Sequence, residues 1–282
     1  TNPVPFIIGI AVSSNLQGAA TLVGDTTAIM LGSYADMSFL DFFWYKGRPG
    51  IFFAVELGAV ASALILAWLF RKEKKPIDRA TQLTPVTDYV PTVLLAGMIV
   101  LLISASFLPS KPDITNGLIC VTLFVIGMVY TYVRTRKTEA FTGPIKSIDF
   151  ETIGLLLGLF LVIGGITHMG VVDAAAGLLA KMGGGNVFLI YTVIVWASVL
   201  FSAFIDNIPY VATMLPVVTG LASTLGIDPT LLYFGLLSGA TLGGNMTPIG
   251  ASANIAGIGI LRREGHEVKT SDFCRIGIPF TL

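Results

Sequence analysis

Two short stretches of this sequence bring glycines and oxygen-bearing side chains into otherwise apolar surroundings. One is NLQGAATLVGD, from Asn15 to Asp25, and the other is GGNMTPIGASANI, from Gly243 to Ile255. Glycine and proline interrupt helices, and each interruption frees backbone N–H groups at one end and carbonyl groups at the other. Half-helix N-termini attract anions, whereas carbonyl, amide and hydroxyl oxygens coordinate a cation such as Na⁺. The candidate substrate- and ion-binding residues here are Ser14, Asn15, Thr21, Gly24, Asp25, Thr26, Asn245, Thr247, Gly250, Ser252 and Asn254.

A third polar cluster, SAFIDNIPYVATMLP, adds Asp206 and Asn207 to the candidate site. A carboxylate inside a membrane is costly, so Asp25 and Asp206 are predicted to face an ion or a cavity and to bind Na⁺ or carry a proton. The alternative is that each aspartate caps a broken half-helix. Pro209 biases Ile208 away from helix, which favours the tip of a re-entrant hairpin over residues 186–220. For Na⁺ itself the candidate ligands are Asn15, Asp25, Asn207 and Asn254.

Small residues in membrane helices also have a simpler use, because they let helices pack closely. We interpret Gly9, Gly154, Gly158 and Gly235 in that way. The polar cluster from Thr247 to Asn254 is different, since its side chains crowd a short part of an apolar segment. We therefore expect that cluster to bind a ligand.

The composition indicates whether the secondary-structure elements are surrounded by water or by lipid. The 282 residues are 54% hydrophobic and 12% charged, with a net charge of zero and a mean hydropathy of +0.82, which predicts an all-α polytopic membrane protein and no nucleic-acid surface. Two cysteines and two separated histidines indicate neither a disulfide framework nor a zinc site, so we expect no cofactor beyond Na⁺ as a coupling ion. The predicted membrane helices are Pro49–Phe70, Val90–Leu108, Ile114–Val133, Phe150–His168 and Asn186–Ala203, with broken helices at Pro3–Ser33 and Pro229–Leu261 and an interfacial helix at Val171–Met182.

The two broken segments resemble each other when the first is displaced by 226 residues. Pro3 then falls on Pro229, and T-x-[VI]-G-x-[ST]-x-x-I describes both segments from Thr21 and from Thr247. Downstream, Asp41–Pro49 echoes Asp272–Pro279. Placing the basic clusters inside puts 13 of the 17 lysines and arginines on the cytoplasmic side and makes the two segments antiparallel. This is the inverted-repeat arrangement of many secondary transporters.

The motifs NLQGAATLVGD, FIDNIPYVATMLP and LSGATLGGNMTPIGASANI resemble the ion-transporter superfamily, in particular its arsenite-permease, P-protein and citrate-transporter-like group. Sodium–dicarboxylate symporters and D-type Na⁺/H⁺ antiporters are relatives. The resemblance implies two inverted repeats, each with a re-entrant hairpin and a broken helix at a mid-membrane site. Relatives are often dimeric, so the resemblance is also compatible with a homodimer. Relatives continue the first motif as G-D-P-P-N, whereas this chain has GDTTAI at residues 24–29.

The leading hypothesis is a secondary active transporter, not an enzyme, that moves a small inorganic or carboxylate anion coupled to Na⁺ or H⁺. A Na⁺/H⁺ antiporter using Asp25 and Asp206 is the alternative, and a channel or an intramembrane aspartyl protease are remote ones. A protease site needs G-x-G-D, but Leu22 stands where its first glycine would be. We expect the inner membrane of a prokaryote as location.

The predicted organisation has three parts. Residues 1–70 form the C-terminal part of a first repeat, 71–89 a cytoplasmic linker, and 90–282 a second repeat with the hairpin at 186–220 and the broken helix at 229–262. Because the chain begins with Thr1 and stops as an apolar segment starts, we expect it to be part of a longer protein whose first hairpin and last helix lie outside it.

Overall fold

The computed structural model describes residues 3–71, 87–108, 112, 114–148 and 150–282. Most of the described residues are α-helical, with two short 3₁₀ helices (Phe39–Phe42 and Gly244–Met246) and one two-stranded hairpin, β1 (Trp44–Tyr45) and β2 (Arg48–Pro49). Its helices are α1 (Val4–Gly18), α2 (Thr26–Tyr34), α3 (Ile51–Phe70), α4 (Val90–Ser106), α5 (Thr115–Thr135), α6 (Glu139–Lys146), α7 (Phe150–His168), α8 (Val171–Gly183), α9 (Val187–Ser202), α10 (Asn207–Leu225), α11 (Thr230–Gly243), α12 (Ser252–Arg263) and α13 (Thr270–Thr281).

Several of these helices are suited to a bilayer. Among the described residues, α3, α5 and α10 are each long and apolar enough to cross a membrane. Two further helices at predicted spans, α4 and α9, are apolar but have only 17 and 16 residues. Large apolar side chains on α3 and α5 are exposed, which suits contact with hydrocarbon rather than water. The chain is therefore an all-α polytopic membrane protein, as the composition predicted.

The chain divides into two compact units, of which the first comprises Thr1–Met37, Asp41–Ile77 and Gly158–Leu282. Helix α1 lies at its centre and packs against α3, α11, α12 and α13. Glycines bring α11 onto α9, since a Cβ on Gly235 would lie 2.6 Å from the Tyr191 ring. That confirms the packing role predicted for Gly235, and Gly9 likewise contacts the Phe70 ring. For Gly154 and Gly158 a Cβ would have no heavy atom of the described residues within 4 Å, so their packing role stays a prediction.

The second unit comprises Ser38–Leu40 and Asp78–Leu157. In its described part α5 packs against α4 and against the short helix α6. No described side chain of α5 is buried, so most of this helix is available to lipid.

Both broken helices are observed, and their halves begin at equivalent positions. Helices α1 and α11 start 226 residues apart, and so do α2 and α12, which follow the breaks. The downstream echo has no such counterpart. Lys46 and Gly47 form the tip of the β-hairpin, both with positive φ, whereas Gly277 and Pro279 lie inside α13. The repeat is therefore seen in the broken helices and not in the segments that follow them.

The predicted tip of the re-entrant hairpin needs a correction. Helix α10 already begins at Asn207, so Ile208 is helical and the break lies at 203–206. Pro209 is tolerated because it occupies the first turn, where a backbone N–H has no intrahelical acceptor. By length and composition α10 could cross a membrane alone, and the re-entrant path of 186–220 stays a prediction.

The segment predicted as an interfacial helix is helical, and its location at the membrane interface stays a prediction. Helix α8 packs against α10 and α9, with Val172 and Ala176 buried. Together the apolar parts Leu161–His168 and Val171–Lys181 form a pair bent by 70°, the geometry of a broken span or a re-entrant loop. The predicted linker 71–89 lies outside the described residues at 72–86, and the division into repeats at 70 and 90 stays a prediction.

Candidate ion and substrate site at the helix breaks

The first break closes on itself through two glycines. After α1 ends at Gly18, the chain turns so that the Gly24 N–H donates to the Thr21 carbonyl at 3.0 Å. A Cβ on Gly24 would overlap the Gly18 carbonyl, and one on Gly18 would lie 2.9 Å from the Asp25 side chain. Only glycine allows such an approach of backbone to backbone.

The second break has the same construction. The Gly250 N–H donates to the Thr247 carbonyl at 3.4 Å, and a Cβ on Gly250 would lie 2.7 Å from the Gly244 carbonyl oxygen. These three residues stand 226 positions after Thr21, Gly24 and Gly18. The shared motif therefore encodes one backbone shape used twice.

Three asparagines join the breaks. The Asn15 Nδ2 group donates to Asn245 Oδ1 at 2.8 Å and to Asn254 Oδ1 at 3.0 Å. Asn254 in turn donates to the carbonyls of Gly244 and Thr247, at 2.7 and 3.0 Å. Asn245 and Asn254 are fully buried and Asn15 nearly so. Buried amides need such partners, so this network fixes the second break against α1.

Both aspartates cap half-helices. Asp25 Oδ1 accepts the Ala28 N–H at 2.9 Å and the Thr27 hydroxyl at 2.6 Å, while Asp206 Oδ1 accepts the Ile208 N–H at 3.0 Å. The other oxygen of Asp206 accepts from the Ser252 hydroxyl at 3.4 Å. This is the capping role considered as the alternative for both residues. A cap with an exposed carboxylate oxygen can also bind a cation, so capping and binding are compatible.

A cavity of about 150 Å³ lies where the breaks and the start of α10 meet. Its lining residues come from the end of α1 and from the first turns of three helices, α2, α10 and α12. They are Ser14, Asn15, Gly24, Asp25, Thr26, Thr27, Asn207, Ile208, Ala251, Ser252 and Ala253.

The electrostatics of the cavity follow from these helix starts. Three helix N-termini contribute a positive potential, although no lysine or arginine among the described residues lines the cavity. Asp25 offsets that potential at α2, and Asp206 does so at α10. The cap of α12 is Ala251, which has no side-chain acceptor, so the N–H groups of Ser252 and Ala253 lack a cap. The cavity thus pairs a carboxylate with a bare helix N-terminus.

Seven of the thirteen predicted site residues line this cavity: Ser14, Asn15, Gly24, Asp25, Thr26, Asn207 and Ser252. The other six do not line the cavity but form bonds that support its lining or the two breaks. Asn245 and Asn254 bond to Asn15, Asp206 bonds to Ser252, Thr247 donates to the Ala203 carbonyl, and Thr21 and Gly250 close the two breaks.

The structure adds two polar residues that the sequence motifs did not single out. Thr27 is buried beside Asp25, and its signal was its place in the first turn of α2. Ser202, the last residue of α9, is buried, and its hydroxyl has no hydrogen-bond partner among the described residues. Its carbonyl oxygen would lie 3.0 Å from a Cβ on Gly250. Ser202 begins the cluster SAFIDNIPYVATMLP, but only Asp206 and Asn207 were chosen from it as site residues.

The protein class follows from the fold and these breaks. A helical membrane protein with paired broken helices around a polar cavity has the architecture of a transporter. A family model described as citrate transporter matches residues 1–236 and 117–282. The chain belongs to this citrate transporter family.

Curated relatives agree with that family. An uncharacterized transporter of Mycobacterium tuberculosis strain H37Rv is 30% identical over 287 residues, which cover 99% of this chain and 65% of the relative. A 46 kDa membrane protein of Mycobacterium leprae is 30% identical over 285 residues, which cover 100% of the chain and 65% of that protein. The human P protein is 35% identical over 142 residues, or 48% of this chain and 17% of its own length. The chain thus spans about two thirds of the mycobacterial relatives.

Proposed function

We propose that the protein is a secondary active transporter that moves a small carboxylate or inorganic anion across the membrane, coupled to Na⁺ or H⁺. The observation that carries the proposal is the cavity formed by the two breaks and the start of α10. Broken helices at a polar cavity are the usual binding elements of secondary transporters, because they offer freed backbone groups without a lipid-exposed edge.

The two breaks suit different partners. The uncapped N–H groups of Ser252 and Ala253 are suited to anion oxygens, since they add hydrogen bonds to the positive end of α12. Asp25 is suited to a cation or a proton, with the Asn15 and Asn207 side chains among its cavity neighbours. Because the described part of the cavity lining has no lysine or arginine, a bound cation would help to balance the charge of the anion.

Charge balance of this kind would couple the two ligands. Each would bind more tightly when the other is present, and the thermodynamic effect is reciprocal. If the cavity opens to either side only when both ligands or neither are bound, transport of the anion is tied to the cation gradient. Citrate is the first substrate to test, because it is the one that the family description names.

A second function is favoured by one specific observation. Asp25 is the one ionisable side chain that the described residues contribute to the cavity lining, and an antiporter that exchanges Na⁺ for H⁺ would need such a group. The two proposals differ in whether an anion moves at all.

Flux through proteoliposomes containing the full-length protein separates them. We expect uptake of labelled citrate, a dicarboxylate, arsenite or a simple inorganic anion. The rate of this uptake should fall when Na⁺ is replaced by choline or when the pH gradient is removed. Na⁺/H⁺ exchange with no anion uptake would refute the first proposal and support the second. A thermal-stability screen with the same anions, with and without Na⁺, tests binding independently of transport.

A further inference from the structure

The second compact unit contains a cavity that the proposed transport site does not use. It has a volume of about 580 Å³ and lies among α4, α5 and α6. That volume is typical of pockets for organic ligands and is well above what a single ion requires. All of its lining residues belong to one compact unit.

The lining of this cavity changes from apolar to polar along its length. On α5 the sequence of lining residues runs from Leu123 and Phe124 through Met128 to Thr131 and Thr135. The twelve steps from Leu123 to Thr135 rise by roughly 18 Å along the helix, close to the ~15 Å of one leaflet of hydrocarbon. A lining with one apolar end and one polar end fits an amphiphile and does not fit a wholly polar solute.

The charges at the polar end identify the headgroup chemistry. Asp88 is engaged within the protein, since its carboxylate accepts the Val90 N–H at 3.0 Å and the Tyr130 hydroxyl at 3.2 Å and pairs with Arg134. The Val90 bond is the largest of the contacts that lower the pKa of Asp88, so this carboxylate stays charged and paired. Lys137 also lines the cavity, and its ammonium forms no ion pair with any described residue.

We propose that this cavity binds a membrane phospholipid, with the phosphate against Lys137 and an acyl chain along Leu123, Phe124 and Met128. The basic cluster Arg134–Lys146 is predicted to lie at the cytoplasmic surface, where anionic lipids are concentrated. Glu139 also lines the cavity. A phosphate bound to Lys137 is therefore attracted by one ammonium group and repelled by one carboxylate. The lipid joins α4, α5 and α6 through contacts that the protein alone does not supply.

Lipid retention by the purified full-length protein, measured by native mass spectrometry, tests the proposal. The probes are phosphatidylglycerol and a diacylglycerol with the same acyl chains, which lacks the phosphate. Wild-type protein should retain one phosphatidylglycerol in preference to diacylglycerol. Lys137→Ala should lower retention of phosphatidylglycerol about fivefold, the effect of one basic residue near a membrane surface.

A matched control and a second variant complete the test. Lys146→Ala removes the same charge from an exposed residue that does not line the cavity, and it should leave retention unchanged. Met128→Trp should reduce retention of both lipids by filling the apolar end. Equal loss in the two lysine variants, equal retention of both lipids by the wild type, or no effect of Lys137→Ala would overturn the proposal. Because none of these measurements involves transport, they stand apart from the proposed function.

Discussion

The buried asparagine network predicts a measurable loss when Asn254 is shortened to alanine. Asn254 is fully buried and takes part in three hydrogen bonds, one accepted from Asn15 and two donated to the carbonyls of Gly244 and Thr247. At about 1 kcal/mol each, the three bonds contribute about 3 kcal/mol, before any penalty for carbonyls left without a donor. For a chain of this size that corresponds to a fall in melting temperature of roughly 6–12 °C.

Thermal unfolding in detergent, followed by intrinsic fluorescence, measures this difference directly. Asn186→Ala provides the control, because Asn186 is an exposed cap that accepts one bond, from the Leu189 N–H at 3.2 Å. Its loss should cost only about 1 kcal/mol. Asn254→Asp should be at least as harmful as Asn254→Ala, since a carboxylate cannot donate to the two carbonyls. Equal melting temperatures for Asn254→Ala and Asn186→Ala would show that the network does not hold the second break.

Three further predictions concern charge. Ala251→Asp should lower uptake of the anion by at least about tenfold at equal expression, because a carboxylate at the start of α12 repels the anion. Uptake measured over a range of anion concentrations tests this. Asp25→Asn keeps an oxygen for the Ala28 N–H but removes the charge, so uptake should lose its dependence on Na⁺ or pH, as a cation titration would reveal. Bonding to Lys46 lowers the pKa of Asp228 to about 2. The ion pair therefore contributes its full stability above the usual carboxyl pKa of ~3.9, and this contribution is lost as the pH falls toward 2. Bonding to Asp228 raises the pKa of Lys46, so its contribution is lost only at strongly alkaline pH. Asp228→Asn should therefore lower the melting temperature by a constant amount from pH 5 to 9, with a smaller difference below pH 4.

The positions of the two breaks could be read from the sequence because their cause is local. Gly18 and Gly24, like Gly244 and Gly250, are required where the backbone folds onto itself, and polar residues are conspicuous in apolar surroundings. The helices that follow the two breaks, α2 and α12, start at the same position of the shared motif, Thr26 and Ser252. A local rule failed where the position of a residue within its helix decided the outcome. Pro209 was predicted to bias Ile208 away from helix, but both residues lie in the first turn of α10.

The contacts that assemble the site could not be read in the same way. Asn15 bonds to partners 230 and 239 residues away, and no pattern within either stretch specifies which amides meet. Ser202, whose hydroxyl has no partner among the described residues, is brought near Gly250 of the second break only by the fold. The sequence therefore indicated the residue types of the site, while their division into a cavity lining and a supporting network required the fold.

The difference between the two breaks explains why both are needed. Their backbones follow the same path, yet Asp25 corresponds to Ala251 and Ala28 corresponds to Asn254 after displacement by 226 residues. The first break therefore offers a charged cap and a buried methyl group, while the second offers bare N–H groups held in place by a buried amide. Neither break alone presents a carboxylate and an uncapped helix N-terminus to one cavity. Opposite charges bound at such neighbouring positions stabilise each other, so divergence of the side chains on a duplicated backbone is a direct route from a repeated fold to coupled binding.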